Sequence, residues 1–363
     1  MSARASTIIR YMHYHKSVIY FQIIKILASI LLCVILFDLY IGFLLSFPKL
    51  AKYGPLHFLQ YVYADHFRTI IQYEPAFAQY DPELKYTFIP GTFIFQNPEY
   101  TTKYSINSIG IRDNEASLTK PEIIVIGDSV PMGWGVQQHE TFAKRIENET
   151  NIKVLNAAIS SYSPVQAIRI LDKIDTSNMK YLIFYYEHWK FSETHRYYTQ
   201  RENFTTLDES TYQHLVRTYQ MQKKYYFGKY FYLAVRQLIH GVISKIHLPI
   251  LPKQPQPEKP PSMSQEATEL LYTILHAGQT SLSTTHIIIV TEKDFIESLR
   301  STVAKEYPDR VNRFTFIGEP DISNNYAYIL DDHPNAEWHK KVAHILVNII
   351  TDISSTSATI KKQ

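Results

Sequence analysis

Two short stretches carry side chains that could do chemistry together. The first is Gly127-Asp128-Ser129, directly after the aliphatic run Ile123-Ile124-Val125-Ile126. A serine hydroxyl presented at the end of a strand is a candidate nucleophile, provided that a base within hydrogen-bond reach takes its proton. The second stretch, near the C-terminus, is Asp331-Asp332-His333-Pro334-Asn335. A histidine where a helix begins, preceded by carboxylates, could be that base. Taken singly, each motif also reads as a turn serine or a capping histidine. Their meaning depends on the elements that position them.

Four consecutive β-branched aliphatics at 123–126 predict a strand buried on both faces inside a parallel sheet. Further strands are predicted at residues 153–159, 181–186, 286–291 and 314–317, with helices over 140–147 and 165–174 between them. A last helix begins near Asn335, with Trp338, Val342, Ile345, Leu346 and Ile349 on one face. This alternation predicts an α/β domain of three layers, α/β/α, around a mostly parallel five-stranded sheet. In such sheets the crevice lies outside the carboxyl ends of the strands, where Ser129 and His333 would both sit.

The remaining chain bounds the class of protein. At 363 residues, with 45% hydrophobic and 20% charged residues, the chain can bury a full core. A net charge of +3 and the lack of any recognition motif argue against nucleic acid. The only cysteine is Cys33, so no disulfide forms within the chain. Residues 26–47 are apolar over a length that crosses a bilayer as a helix. Asp38 is the one charge there, costing about 3 kcal/mol against about 0.5 kcal/mol gained from each of many apolar residues, so insertion wins. Arg4, Arg10, Lys16 and Lys25 precede the span and Lys49 and Lys52 follow it. The expected topology is single-pass, with residues 1–25 cytoplasmic and the rest extracytoplasmic.

Residues 48–120, rich in Tyr, Phe and Pro, form a lead-in expected to pack on the core. Turn signals such as Pro90-Gly91 and Ile109-Gly110 predict short strands there rather than helices. Residues 190–280 are far longer than a crossover needs and read as an insertion. Within it, 210–257 has no acidic residue, and Phe227, Phe231, Val235, Leu238, Val242 and Ile246 recur at helical spacing. That helix would pack on the core or lie on the membrane surface as a lid. A proline-rich stretch at 249–261 follows as a stiff loop, and Ser262 with Gln265 reads as a capping box opening a helix that Gly278 ends. Residues 351–363 form a C-terminal tail.

With both motifs in place, the sequence resembles the SGNH hydrolases, also called GDSL esterases/lipases, over about residues 80–350. Tyr104-x-Ile106-Asn107-Ser108-x-Gly110-Ile111-Arg112 and Gly133-x-Gly135-Val136 look like membrane-tethered members. The resemblance implies a flavodoxin-like fold over 121–350, with Ser129 as nucleophile and His333 as acid and base. Asp331 would orient the imidazole; Asp332, adjacent to the histidine, is the weaker candidate. It further implies an oxyanion hole built from the N–H of Ser129, the N–H of Ser161 and the ring of His188. The chain departs from the pattern in three places. Asp331 and His333 are two apart rather than three, Ser161 stands at a glycine position, and His188 stands at an asparagine position. Losing a neutral amide donor from an oxyanion hole costs about 10²–10³ in turnover, so the last change matters most.

The implied activity is hydrolysis of an acyl or acetyl ester of a carbohydrate or lipid, at a membrane, with neither cofactor nor metal. A metal site from His188, His333 and Asp331 lacks any motif spacing. Two alternatives use the same crevice. One is O-acyl transfer to a sugar hydroxyl, and the other is an inactive descendant that binds a ligand or partner.

Overall fold

The structure, a computed structural model, describes residues 2–188, 191–246, 261–322 and 325–360. The chain forms two compact units, one of residues 1–67 with 224–251 and one of 68–223 with 252–363. The expected lead-in is therefore divided between Phe67 and Arg68.

The first unit is built on helix α1 (Ser2–Leu45), of which Lys16–Leu45 is long and apolar enough to cross a membrane. Residues 51–67 are helical, not the strands expected there: Pro48 and Pro55 open short 3₁₀ turns, and α2 (Phe58–Val62) follows. Proline at the first positions of a helical turn gives up an N–H that has no partner anyway. The chain re-enters this unit as α8 (Lys229–Ile246). Asp38 meets α8 directly. Its carboxylate accepts the N–H of Phe231 (2.9 Å) and the hydroxyl of Tyr225 (2.9 Å). First-turn N–H groups of a helix lack intrahelical acceptors, so α1 caps α8. Phe231 also packs edge-on against Phe37. The aromatic helix expected to cover the core or the membrane surface thus packs on α1. The side chains of Leu238, Val242 and Ile246, and the proline-rich stretch 249–260, lie outside the described residues.

The second unit opens with two antiparallel hairpins, β1 (Ala78–Asp81) with β2 (Lys85–Phe88) and β3 (Gly91–Gln96) with β4 (Thr101–Ile106). Among the described residues, five strands then form one parallel sheet: β5 (Ile123–Ile126), β6 (Val154–Asn156), β7 (Tyr181–Tyr185), β8 (His286–Thr291) and β9 (Phe314–Gly318). Their order is β6-β5-β7-β8-β9. Because side chains alternate along a strand, Ile124, Ile126, Leu182, Phe184, Ile287 and Ile289 enter one core. That core is shared with α5 (Pro164–Arg169), α9 (Met263–His276) and α10 (Ile296–Glu306). Ile123, Val125, Ile183, Tyr185, Ile288 and Val290 enter the other. There they meet Phe142 and Ile146 of α4 (Phe142–Thr150) and Trp338, Val342 and Leu346 of α11 (Ala336–Ile360).

Both faces of the sheet are therefore covered, as the aliphatic runs predict. Strand order turns back at β5, so the crevice belongs outside the carboxyl ends of β5 and β7. Of the expected insertion, α6 (Phe191–Gln200), α7 (Glu209–Lys223) and α9 belong to this unit. Ser262 caps α9 by accepting the Gln265 N–H, but the expected box is only half made, because the Gln265 amide donates forward to Glu269. Helix α11 continues through most of the expected tail.

Candidate active site

The turn after β5 can be made only by glycine. Gly127 has φ +143°, and a Cβ there would fall 2.8 Å from Pro131 Cγ and 3.0 Å from the Tyr185 carbonyl oxygen. The Asp128 carboxylate accepts the Val130 N–H (2.9 Å) and caps the short helix α3 (Ser129–Met132). Ser129 is the first residue of α3, so its own N–H has no intrahelical acceptor. Behind it, the buried Arg112 donates to the carbonyls of Met132 (3.1 Å), Gly133 and Val136 (2.6 Å) and lies on the Tyr104 ring. These are residues of the two family-like runs, and their work is to hold the loop that follows the serine.

His333 arrives on a tight return of the chain. The Tyr328 N–H donates to the His333 carbonyl (2.9 Å), and the Asn335 N–H to the Tyr326 carbonyl (2.8 Å). The Asn335 side chain then accepts the N–H of Glu337 and of Trp338, opening α11. Between Asp331 and His333, Asp332 adopts φ +64°, a left-handed turn that aspartate tolerates better than most residues. This kink lets two residues only two apart face one another. Asp332 itself points to solvent. His333 Nε2 lies 3.0 Å from Ser129 Oγ, and His333 Nδ1 lies 2.9 Å from Asp331 Oδ1. Serine, imidazole and carboxylate form one hydrogen-bonded chain.

The carboxylate is held by groups that sequence reasoning missed. Asp331 Oδ2 accepts the Asn97 amide (2.8 Å), the Tyr100 hydroxyl (2.6 Å) and the Trp134 indole N–H (3.0 Å). Asn97 and Tyr100 sit in the connection between β3 and β4, and Glu99 beside them accepts the N–H groups of Ile329, Leu330 and Asp331. Burial pushes the Glu99 carboxyl up, and these three donors pull against it. Trp134 also stacks on the imidazole, ring centres 4.8 Å apart and 20° from parallel. Arg68 adds a cation beside this pair, with Nη2 3.1 Å from His333 Nδ1 and Nε 3.4 Å from Asp331 Oδ1. Burial works against the Asp331 carboxylate. The His333 hydrogen bond and charge, the Arg68 guanidinium and the Tyr100 hydroxyl outweigh it and hold the carboxyl well below the usual carboxylate range. Of these residues only Trp134 lay in a stretch already singled out. Asn97-Pro98 reads as a turn and nothing more.

The residues expected in the oxyanion hole are placed unequally. Ser161, past the end of β6, has φ +59°, the left-handed conformation that glycine adopts at least cost. The Ile159 N–H donates to the Gly127 carbonyl (3.2 Å), which brings this turn beside the one that carries Ser129. Ser161 Oγ accepts the Gln72 amide (3.1 Å). His188 is turned elsewhere. Its N–H donates to the Glu292 carboxylate (3.1 Å), and its ring packs on Phe295. Its Nδ1 lies 2.6 Å from Glu266 Oε2 on α9. Among the described residues, no hydrogen bond or ring contact joins the His188 ring to Ser129, Ser161 or His333. The imidazole lies beside the Glu266 carboxylate of α9, while Glu292, just past β8, holds the His188 backbone N–H. No cluster of three or more His, Cys, Asp or Glu side chains that could hold a metal occurs among the described residues.

No family model matches the chain, and no curated protein matches it. Its fold is similar to several solved structures. One is a lipolytic protein of the G-D-S-L family from Desulfitobacterium hafniense, at 9% identity and TM-score 0.31, covering 62% of this chain and 98% of that one. Another is an acetyl xylan esterase from Butyrivibrio proteoclasticus, at 10% identity and TM-score 0.36, covering 64% of this chain and 63% of that one. A third is a carbohydrate esterase family 2 enzyme from Corynascus thermopiles, at 10% identity and TM-score 0.34, covering 65% of this chain and 67% of that one.

Proposed function

We propose that this chain is a serine ester hydrolase of the SGNH type, tethered to a membrane by α1, that acts on an acyl or acetyl ester of a carbohydrate or lipid. One observation carries the reading: His333 Nε2 stands 3.0 Å from Ser129 Oγ while its Nδ1 faces the buried Asp331 carboxylate at 2.9 Å. In the tautomer that donates from Nδ1 to Asp331, Nε2 has a lone pair aimed at the hydroxyl.

Ser129 Oγ attacks the ester carbonyl as its proton passes to Nε2. The developing oxyanion is met by the N–H of Ser129 and the N–H of Ser161, two donors on adjoining turns. When the ester C–O bond breaks, Nε2–H returns the proton to the departing alcohol. Water then attacks the acyl-serine, giving its proton to Nε2, and the acid leaves with Ser129 restored. The stack of Trp134 on the imidazole and its bond to Asp331 keep base and carboxylate in register throughout. Every step uses groups of this chain and water alone.

The positive residues on the N-terminal side of α1 favour a cytoplasmic N-terminus, which puts the catalytic unit outside. The decisive experiment for the chemistry is Ser129→Ala in the purified full chain. Acetate release from a short acetyl ester and labelling by a fluorophosphonate are both expected to vanish, and an undiminished rate of either overturns the mechanism.

A further inference from the structure

The crevice holds a cation that ester hydrolysis in general does not require. Arg68 reaches His333 Nδ1 with Nη2 and Asp331 Oδ1 with Nε, and its guanidinium lies 5.9 Å from the Trp134 ring centre. Its side chain is nevertheless 35% exposed. The segment that bears it is pinned along the rim. The Ile70 N–H donates to the Tyr219 hydroxyl (3.0 Å), and the Tyr212 hydroxyl donates to the Gln72 carbonyl (2.8 Å), both from α7. Gln72 then reaches Ser161, so residues 68–72 run from the imidazole to the second oxyanion donor.

Asp331 is satisfied without Arg68. Asn97, Tyr100, Trp134 and His333 already donate to its two oxygens at 2.6–3.0 Å, and the arginine contact at 3.4 Å is the longest of the set. In the tautomer that serves Ser129, His333 Nδ1 is a donor, so the Nη2–H beside it has no acceptor there. A guanidinium carries five N–H donors in a rigid fork, and most of this one's remain unspent at the mouth of the crevice. Such a fork fits a carboxylate or a phosphate. Arg68 meets the imidazole at its Nδ1 edge, and an acetyl group has no place for a charge, so in an acetyl ester the anionic group that the fork could receive belongs to the alcohol.

We propose that Arg68 makes this site selective for esters whose alcohol carries an anionic group, carboxylate or phosphate, close to the ester oxygen. The inference rests on Ser129 being the nucleophile. It is tested with the full chain in detergent, by acetate release from three matched esters: 1-acetylglycerol, 1-acetylglycerol 3-phosphate and 3-O-acetylglycerate. At least one charged ester is expected to exceed the neutral one in kcat/KM by about tenfold to a hundredfold, mainly through KM, as a charge-assisted fork provides. Which of the two gains more identifies the anion. Arg68→Gln is expected to bring the ratio near one, and Arg68→Lys, which keeps the charge without the fork, to leave it in between. An equal fall of Arg68→Gln on all three esters overturns the proposal and makes Arg68 a positioning residue for Asp331. Labelling of the wild type by an uncharged fluorophosphonate is read alongside. Labelling without charge preference sinks this inference alone, whereas no labelling sinks the serine-hydrolase reading beneath it.

Discussion

Replacing Asp331 by asparagine asks the structure to choose between two failures, and the hydrogen bonds decide which. The carboxylate accepts on both oxygens, but unequally: Oδ2 faces three donors, from Asn97, Tyr100 and Trp134, and Oδ1 faces His333 Nδ1. An amide has one accepting oxygen and one NH₂ that cannot accept. Placing the NH₂ toward Oδ2's partners strands the indole and the Asn97 amide, each at about 1–3 kcal/mol. Placing it toward His333 gives up only the long Arg68 Nε contact at 3.4 Å, because the imidazole can answer with a lone pair on Nδ1. The second orientation wins by several kcal/mol, and its proton then sits on Nε2, facing Ser129. That tautomer cannot take the serine proton. Turnover of an acetyl ester by Asp331→Asn is expected to fall about 10⁴-fold, equivalent to about 5 kcal/mol in the barrier. Folding stability, measured by urea denaturation, should change far less, by about 1–3 kcal/mol. A variant within tenfold of wild-type turnover would refute the tautomer argument. One that is unfolded would show that the amide had turned the wrong way.

Two further outcomes follow from other parts of the chain. His339, buried under α4 with its Nδ1 accepting the Phe142 N–H, is pushed down to about 3 by burial first and by the charges of Arg112 and Arg145 second. The unfolded chain binds that proton near pH 6.5 and the native one does not, so acid removes stability between about 6.5 and 3, at about 1.4 kcal/mol per pH unit. His339→Phe should flatten that slope in urea titrations relative to wild type; an unchanged slope would assign it to other groups. If α1 spans a bilayer with its N-terminus inside, protease added outside intact cells should digest the catalytic unit. Full protection would reverse the topology.

Much of this molecule was legible in one dimension. Apolar runs marked the five strands to within a few residues, because burial on both faces leaves few polar positions in a strand. An apolar N-terminal stretch marked much of α1, although its apolar side chains are mostly exposed in the structure. The serine and histidine motifs could be paired because one ends a strand and the other lies between the last strand and the last helix, and sheet topology carries both connections to one edge. Periodicity, however, records only whether a side chain is buried, not what buries it. It therefore left the partner of the aromatic helix open, and only the structure packs α8 on α1. It was silent on the connection that holds Asp331, whose Asn97 lies 234 positions away in the chain, and on Arg68, 265 positions from the imidazole it touches. It could not show that Glu266, 78 positions on in the chain, would stand beside the His188 ring. Polar groups in connections have no repeat to read, and their partners are chosen by the packing of whole elements. The strands and the two reactive side chains are properties of local sequence; the tautomer, the anchoring of the carboxylate and the charge at the mouth of the crevice exist only once the chain has closed.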